Sequence, residues 1–166
     1  EACNEHGVGC SVGDSFASCS IISPAYFREF VKPYLKRIAD WQIRHRGSAG
    51  NLHICGDSRA IWEDMAQLGF SSVSLDNAMD LGEAKEILGP HVALKGNVKP
   101  VETMLYGTVE DVMKESRECI EKCMDTPRGF TLSSGCTLPV RTPVENVEAM
   151  LNAARIWGRP KSDGRK

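Results

Sequence analysis

The run "NLHIC", residues 51–55, ends in a histidine and a cysteine two positions apart, directly before Gly56 and Asp57. In a strand, residues i and i+2 point to the same side, so His53 and Cys55 would project together from a strand's carboxyl end. An imidazole and a thiolate aimed at one point suit a borderline-soft divalent metal, but two ligands do not hold one. A third soft donor stands in "SSGCTLP", where Cys136 follows the apolar run "GFTLS" (129–133). Zinc sites that do catalysis keep three protein ligands and leave one position for substrate or water. A His-X-Cys pair plus one distant Cys makes such a set. Thiolate ligands also leave zinc less acidic, which favours a bound sulfur nucleophile over a zinc hydroxide. Asp76, at the end of the run "SVSL" (72–75), is placed to be a fourth ligand or a hydrogen-bond partner to one. The same cysteines fit a second reading. Cysteine is among the most buried residue types and behaves as a small hydrophobe, so spacing by itself leaves both readings open.

The remaining reactive residues read more plainly. Cys119 and Cys123 lie four apart on a helix and share one face, which packing explains. Cys3, Cys10 and Cys19 show no partner pattern. Arg44, His45 and Arg46 close a helix, where cations offset the dipole. His6 and His91 read as solvated or capping, and Trp41, Trp62 and Trp157 as helix-to-sheet packing. Asp14 either faces a pocket or caps a turn. Seven cysteines in 166 residues exceed what a well-cored domain needs for disulfides, so reduced thiols in a cytoplasmic setting are expected. The chain is 42% hydrophobic and 25% charged with a net charge of −2. That is a globular composition without the basic face of a nucleic-acid binder. No apolar run approaches the roughly 20 residues of a membrane span.

The elements that must position these residues alternate. A weak strand is expected in "VGCSV" (8–12), then a long helix opening at Ser23-Pro24 and ending at Gly47, with a kink at Pro33 and an apolar face of Phe27, Phe30, Val31, Tyr34, Leu35 and Ile38. Strand 51–55 precedes a helix capped by Asp57 and stopped by Gly69. Strand 72–75 precedes one opened by Asp80 and Glu83, and strand 91–96 one opened by Thr108 and Asp111. Strand 129–133 precedes a last helix with Thr142 as its cap and Pro143 in its first turn. Residues 159–166 read as a frayed tail after one domain, 1–158. Five strand–helix units mean a parallel α/β sheet with right-handed crossovers, either doubly wound or part of a barrel. No glycine-rich phosphate fingerprint follows a strand. Asp14, His53, Cys55, Asp76, Asn97 and Cys136 all fall at strand carboxyl ends, where barrel chemistry collects.

The blocks "GDSFASCSIISPAYFREFVKPYLKRI", "HICGD", "GFSSVSLDNAMDLGEAKEILG", "VALKGNVKPVETMLYGTVEDV" and "SSGCTLPVRTPVENVEAM" together resemble the uroporphyrinogen decarboxylase superfamily, and within it the methylcobamide:coenzyme M methyltransferase branch. The resemblance runs from about residue 8 to about residue 157. It implies a (β/α)8 TIM barrel, of which about five carboxyl-terminal units are present here, since a full barrel takes roughly 250 residues. It implies a zinc ion on His53, Cys55 and Cys136, with Asp76 as possible fourth ligand or hydrogen-bond partner, and Asp14 and Asn97 in the substrate pocket. The implied reaction is methyl transfer from a corrinoid, carried on a partner protein or free, to a small thiol such as coenzyme M. It needs no protein nucleophile, because the substrate thiolate itself attacks. Two other readings are kept: a metal-free uroporphyrinogen decarboxylase, in which Cys55 and Cys136 have no task, and a half barrel serving only as a binding or assembly module. An incomplete barrel is further expected to bare an apolar inner face and to favour oligomers or domain swapping.

Overall fold

The computed structural model describes residues 10–158; positions 8 and 9 of the first expected strand and the tail 159–166 lie outside them. Strand β1 is short, Val12–Gly13. Helix α1 follows in three stretches, Pro24–Tyr26, Phe27–Val31 and Lys32–Arg46. Then come β2 (Ala49–Ile54), α2 (Trp62–Ala66), β3 (Phe70–Leu75), α3 (Leu81–Leu88), β4 (Ala93–Val98), α4 (Val109–Cys123), β5 (Phe130–Ser134) and α5 (Val144–Trp157). All strand pairs are parallel and their spatial order is the chain order, β1 to β5. A doubly wound sheet reverses direction at a switch point, and this sheet does not. It is an open arc of the kind that barrels are built from.

Local chemistry sets most element starts. Thr108 and Asp111 form a reciprocal capping box, with the Thr108 hydroxyl accepting from Asp111 N–H and the Asp111 carboxylate from Thr108 N–H. Asp80 accepts from Glu83 N–H at 3.0 Å. Two starts differ from expectation. Asp57 accepts from Arg59 N–H at 2.9 Å, but a single 3₁₀ turn (Arg59–Ile61) precedes α2. At α5 the Pro143 carbonyl takes the first helical bonds, from Asn146 and Val147, and the Thr142 hydroxyl is buried without a partner.

The kink expected at Pro33 takes the form of a π turn, Phe27–Val31, in which Lys32 N–H reaches the Phe27 carbonyl. A proline ring clashes with the carbonyl four residues before it, and widening the preceding turn makes room. The extra residue shifts the phase of the helix, so the expected apolar face splits. Phe27, Leu35, Ala39 and Gln42 are buried, while Phe30 and Tyr34 stay 58% and 60% exposed.

Strand alternation sorts the sheet's two faces. Leu52, Ile54, Val73, Leu75 and Leu94 are buried against the helices, together with Trp62, Met65, Leu81, Leu88 and Val112. The opposite, inner face carries Asn51, His53, Ser72, Ser74, Lys95, Thr131 and Ser133, mostly half-buried. The inner face is therefore polar, and the expectation of an apolar one is corrected. Exposed large apolar side chains lie instead outside this face, among them Phe30 and Tyr34 on α1, Leu151 and Ile156 on α5, and Tyr106 and Val140 in loops.

One ion cluster ties α1 to α2. The buried Asp64 carboxylate accepts from Arg28 Nε at 2.9 Å and from Lys32 Nζ at 2.8 Å. Burial alone would push this carboxyl up, but the hydrogen bonds and charges of Lys32 and Arg28 outweigh it and hold the group below its ordinary range. A depressed folded pKa adds stability that is complete above the unfolded carboxyl's titration, near pH 4, and is lost as pH falls through the folded value. Asp64→Asn is expected to cost about 1–3 kcal/mol at neutral pH and to flatten the acid limb of the stability curve. Urea midpoints from pH 2 to 7 check this; parallel curves for the two proteins would contradict it.

Candidate metal centre

His53 closes β2 on the polar face, and the alternation that buries Leu52 and Ile54 turns its ring inward. Its Nδ1 lies 3.1 Å from the Ser74 carbonyl on β3, the residue paired with it in register. A carbonyl only accepts, so Nδ1 carries the proton and Nε2 keeps its lone pair. That Nε2 is 3.1 Å from Cys55 Sγ. Cys136 arrives from the loop after β5, 81 positions along the chain, and places its Sγ 3.8 Å from that of Cys55. The three donor atoms lie within 4.8 Å of one another, and all three residues are partly buried.

Two glycines let the loops approach this closely. Gly56, directly after Cys55, adopts φ +71°, a left-handed conformation that costs other residues 1–2 kcal/mol or so. Gly135, directly before Cys136, lies so near Asn77 that a Cβ would fall 2.5 Å from its backbone nitrogen. The Asp76–Asn77 turn and the Cys136 loop therefore touch backbone to backbone.

Asp76 supports the donors from behind. Its Oδ2 accepts from Gly56 N–H at 2.8 Å and its Oδ1 from Ala78 N–H at 2.9 Å, so it braces the Cys55 loop and stands outside the three-donor cluster. Asn97 is 8% exposed and donates from Nδ2 to the Asp76 and Met79 carbonyls at 3.0 and 2.7 Å. It anchors the 76–79 turn; its amide hydrogens do not face the inner surface. Asp14 caps its own loop, accepting from Phe16 and Ala17 N–H at 3.0 and 3.2 Å, and its N–H donates to the His53 carbonyl at 2.9 Å. Asp14 thus caps a turn, and it also lines an open cavity with Phe16, Ile22, Tyr26 and Phe30.

Two contributors escaped sequence reasoning. Ser15 donates its hydroxyl to Cys55 Sγ at 3.3 Å, and the Ser74 carbonyl orients His53. The first sits in a loop with no periodic signal. The second emerges only when β2 and β3 are put in register.

Electrostatics fit a cation. Burial pushes the Cys136 thiol up, and the neighbouring Cys55 sulfur and Asp76 carboxylate act in the same direction. A divalent metal reverses that logic by drawing the thiolates. The donor set is one imidazole and two sulfurs, with the imidazole held in the ligating tautomer by a backbone carbonyl, and it suits zinc. By contrast, Cys119 and Cys123 are buried, their thiols directed at Asn97 Oδ1 (3.8 Å) and the Leu81 carbonyl (3.5 Å). Burial raises both, Cys123 to about 11, which agrees with packing.

Comparisons with known proteins show the family. The family model for uroporphyrinogen decarboxylase (URO-D) matches residues 1–157, and the chain belongs to that family. Methylcobamide:CoM methyltransferase MtaA of Methanosarcina barkeri is 31% identical over 144 residues, covering 86% of this chain and 40% of the relative. A methylated-thiol–coenzyme M methyltransferase of Methanosarcina mazei is 30% identical over 92% of this chain and 39% of its own length. A uroporphyrinogen decarboxylase of an Azoarcus species is 33% identical over 84% of the chain and 38% of its own. Among solved structures, a methyltransferase from Methanosarcina mazei superposes with a TM-score of 0.80 at 30% identity, over 93% of this chain and 44% of that one. The chain thus spans about 40% of the length of the curated relatives it matches. The sequential five-strand arc is part of a barrel of their kind.

Proposed function

We propose that this chain carries the zinc-binding part of a methyl-transfer centre, which takes a methyl group from a methylated corrinoid, free or on a partner protein, and places it on a small thiol such as coenzyme M. One observation carries the reading: Cys136, from the loop after β5, meets Cys55 at 3.8 Å beside the His53 ring. When bound, zinc would supply the positive charge that keeps a substrate thiol deprotonated near neutral pH. His53, Cys55 and Cys136 would hold it. Asp76 fixes the loop that carries Cys55, and the Ser74 carbonyl keeps the His53 proton on Nδ1, away from the donors. The half-buried setting limits water around the transferred group. No side chain here needs to act as nucleophile, because the substrate sulfur takes the methyl group and the carbon–cobalt electron pair stays with the corrinoid.

Family membership also supports a metal-free decarboxylase reading, which leaves the paired thiols without a task. The deciding experiment incubates the zinc-loaded chain with methylcobalamin and coenzyme M and assays methylated thiol by mass spectrometry. Product that needs both zinc and Cys136 is the expected result. Metal-independent decarboxylation of uroporphyrinogen would replace this reading with the second. Neither activity, from a folded chain with zinc bound, would reduce the chain's role to binding or assembly.

A further inference from the structure

The inner face of the sheet holds one cation that the site described above does not use. Lys95 stands on β4 between Leu94, fully buried among the helices, and Gly96. Alternation therefore puts Lys95 on the polar inner face, where it is half-buried. The strand registers align it with the metal donors: His53 pairs with Ser74, Ser74 with Lys95, and Lys95 with Thr131. One row across the sheet thus reads imidazole, hydroxyl, ammonium, hydroxyl. None of the ion pairs among the described residues includes Lys95. The Asp76 carboxylate, at the end of β3, is engaged by Gly56 and Ala78 N–H. A half-buried lysine on the polar face, in register with Ser74 and Thr131 and two strands from His53, makes this face attractive to an anion.

We propose that Lys95 is the specificity-determining residue for the charged end of the thiol substrate. A small thiol ending in a sulfonate or carboxylate would rest its sulfur at His53, Cys55 and Cys136 and its anion on the Lys95 ammonium. Two strand spacings separate the backbones of His53 and Lys95 by roughly 10 Å, a span on the scale of a short anionic thiol held at both ends. A charge-assisted contact at one end and a metal donor set at the other fix both length and charge of the substrate. This assignment rests on the thiol-transfer reading above.

The test uses the full chain loaded with cobalt(II) in place of zinc, so that a bound thiolate announces itself as an increase in sulfur-to-cobalt absorption over that of Cys55 and Cys136. Two probes are titrated: coenzyme M, whose short chain ends in a sulfonate, and 2-sulfanylethanol, with a hydroxyl in that place. The wild type is expected to bind coenzyme M more tightly. Lys95→Met should weaken coenzyme M roughly tenfold or more while leaving 2-sulfanylethanol unchanged, and Lys95→Arg should keep the preference. Should Lys95→Met fold poorly, salt gives an independent readout on the wild type, weakening coenzyme M binding but not 2-sulfanylethanol binding. Equal affinities for the two probes in the wild type, insensitive to salt, would overturn the assignment to Lys95 while leaving the thiol-transfer reading intact. Bound cobalt with no added absorption from either probe would overturn the thiol-transfer reading, and this assignment with it.

Discussion

Cys136→Ser is expected to leave a folded chain that no longer keeps zinc. Cys136 is the one donor that comes neither from β2 nor from the residue directly after it, and without it the set falls to a histidine and a cysteine two positions apart. Two ligands do not make a zinc site of the structural or catalytic kind. A serine hydroxyl is no substitute, since it stays protonated where a cysteine would ionise. Replacing residues that merely orient metal ligands costs 10–100-fold in affinity, so losing a ligand outright should cost at least about a hundredfold. The measurement is zinc per chain by elemental analysis after gel filtration without strong chelators. One zinc per wild-type chain and close to none per Cys136→Ser chain is the expected pair of values. Cys119→Ala serves as control, because that thiol turns away from the site toward Asn97. Zinc that binds only the folded state also raises the melting temperature by mass action, and that increment should vanish in Cys136→Ser alone. A variant that keeps a full complement of zinc would remove the basis for the proposed centre.

How much of this was legible depends on range along the chain. The β/α alternation and the capping residues are local: Thr108 with Asp111 forms the expected box, while Asp80 caps through the Glu83 amide alone, the Glu83 side chain pairing with Arg59 instead. The convergence of His53 with Cys55 follows from strand periodicity alone. The meeting with Cys136 does not, since it depends on strand order and on how closely two loops can approach, which Gly135 against Asn77 decides. The same holds for the Ser74 carbonyl, invisible until a register is chosen. The π turn in α1 was hidden by its own neighbours: Pro33 announces a disturbance, but whether the helix bends or widens is set by packing. Asn97 and Asp14 were legible as polar residues at strand ends, but the structure spends their side chains on holding turns. The polar inner face could have been read from "NLHI" and "SVSL", whose alternation separates Asn51, His53, Ser72 and Ser74 from Leu52, Ile54, Val73 and Leu75. A fully buried parallel strand would be apolar on both faces; these strands are not, and their inner side is polar and mostly half-buried.

That separation of faces makes a second large prediction, opposite in kind to the first. Trp62→Ala is expected to destabilise the chain strongly while leaving its zinc stoichiometry unchanged in the folded state. Trp62 is 1% exposed on the helix side of the sheet, and its Nε1–H donates to Ser58 Oγ at 3.0 Å. Removing so large a buried side chain costs about 3–5 kcal/mol through lost transfer energy and the cavity left behind. At 2–4 °C per kcal/mol for a domain of this size, the melting temperature should fall by about 6–20 °C. The donors sit across the backbone layer, held by strand register, by Asp76 and by the Gly135–Asn77 approach, none of which involves the indole. Thermal unfolding by circular dichroism, with and without added zinc, separates the two layers. Trp62→Ala should lower both curves and preserve the gap between them, whereas Cys136→Ser should close the gap and barely move the zinc-free curve. If Trp62→Ala instead lost its zinc while still folded, the path would run through the Gly56–Ser58 loop, and the metal site would then depend on the helix layer beneath it.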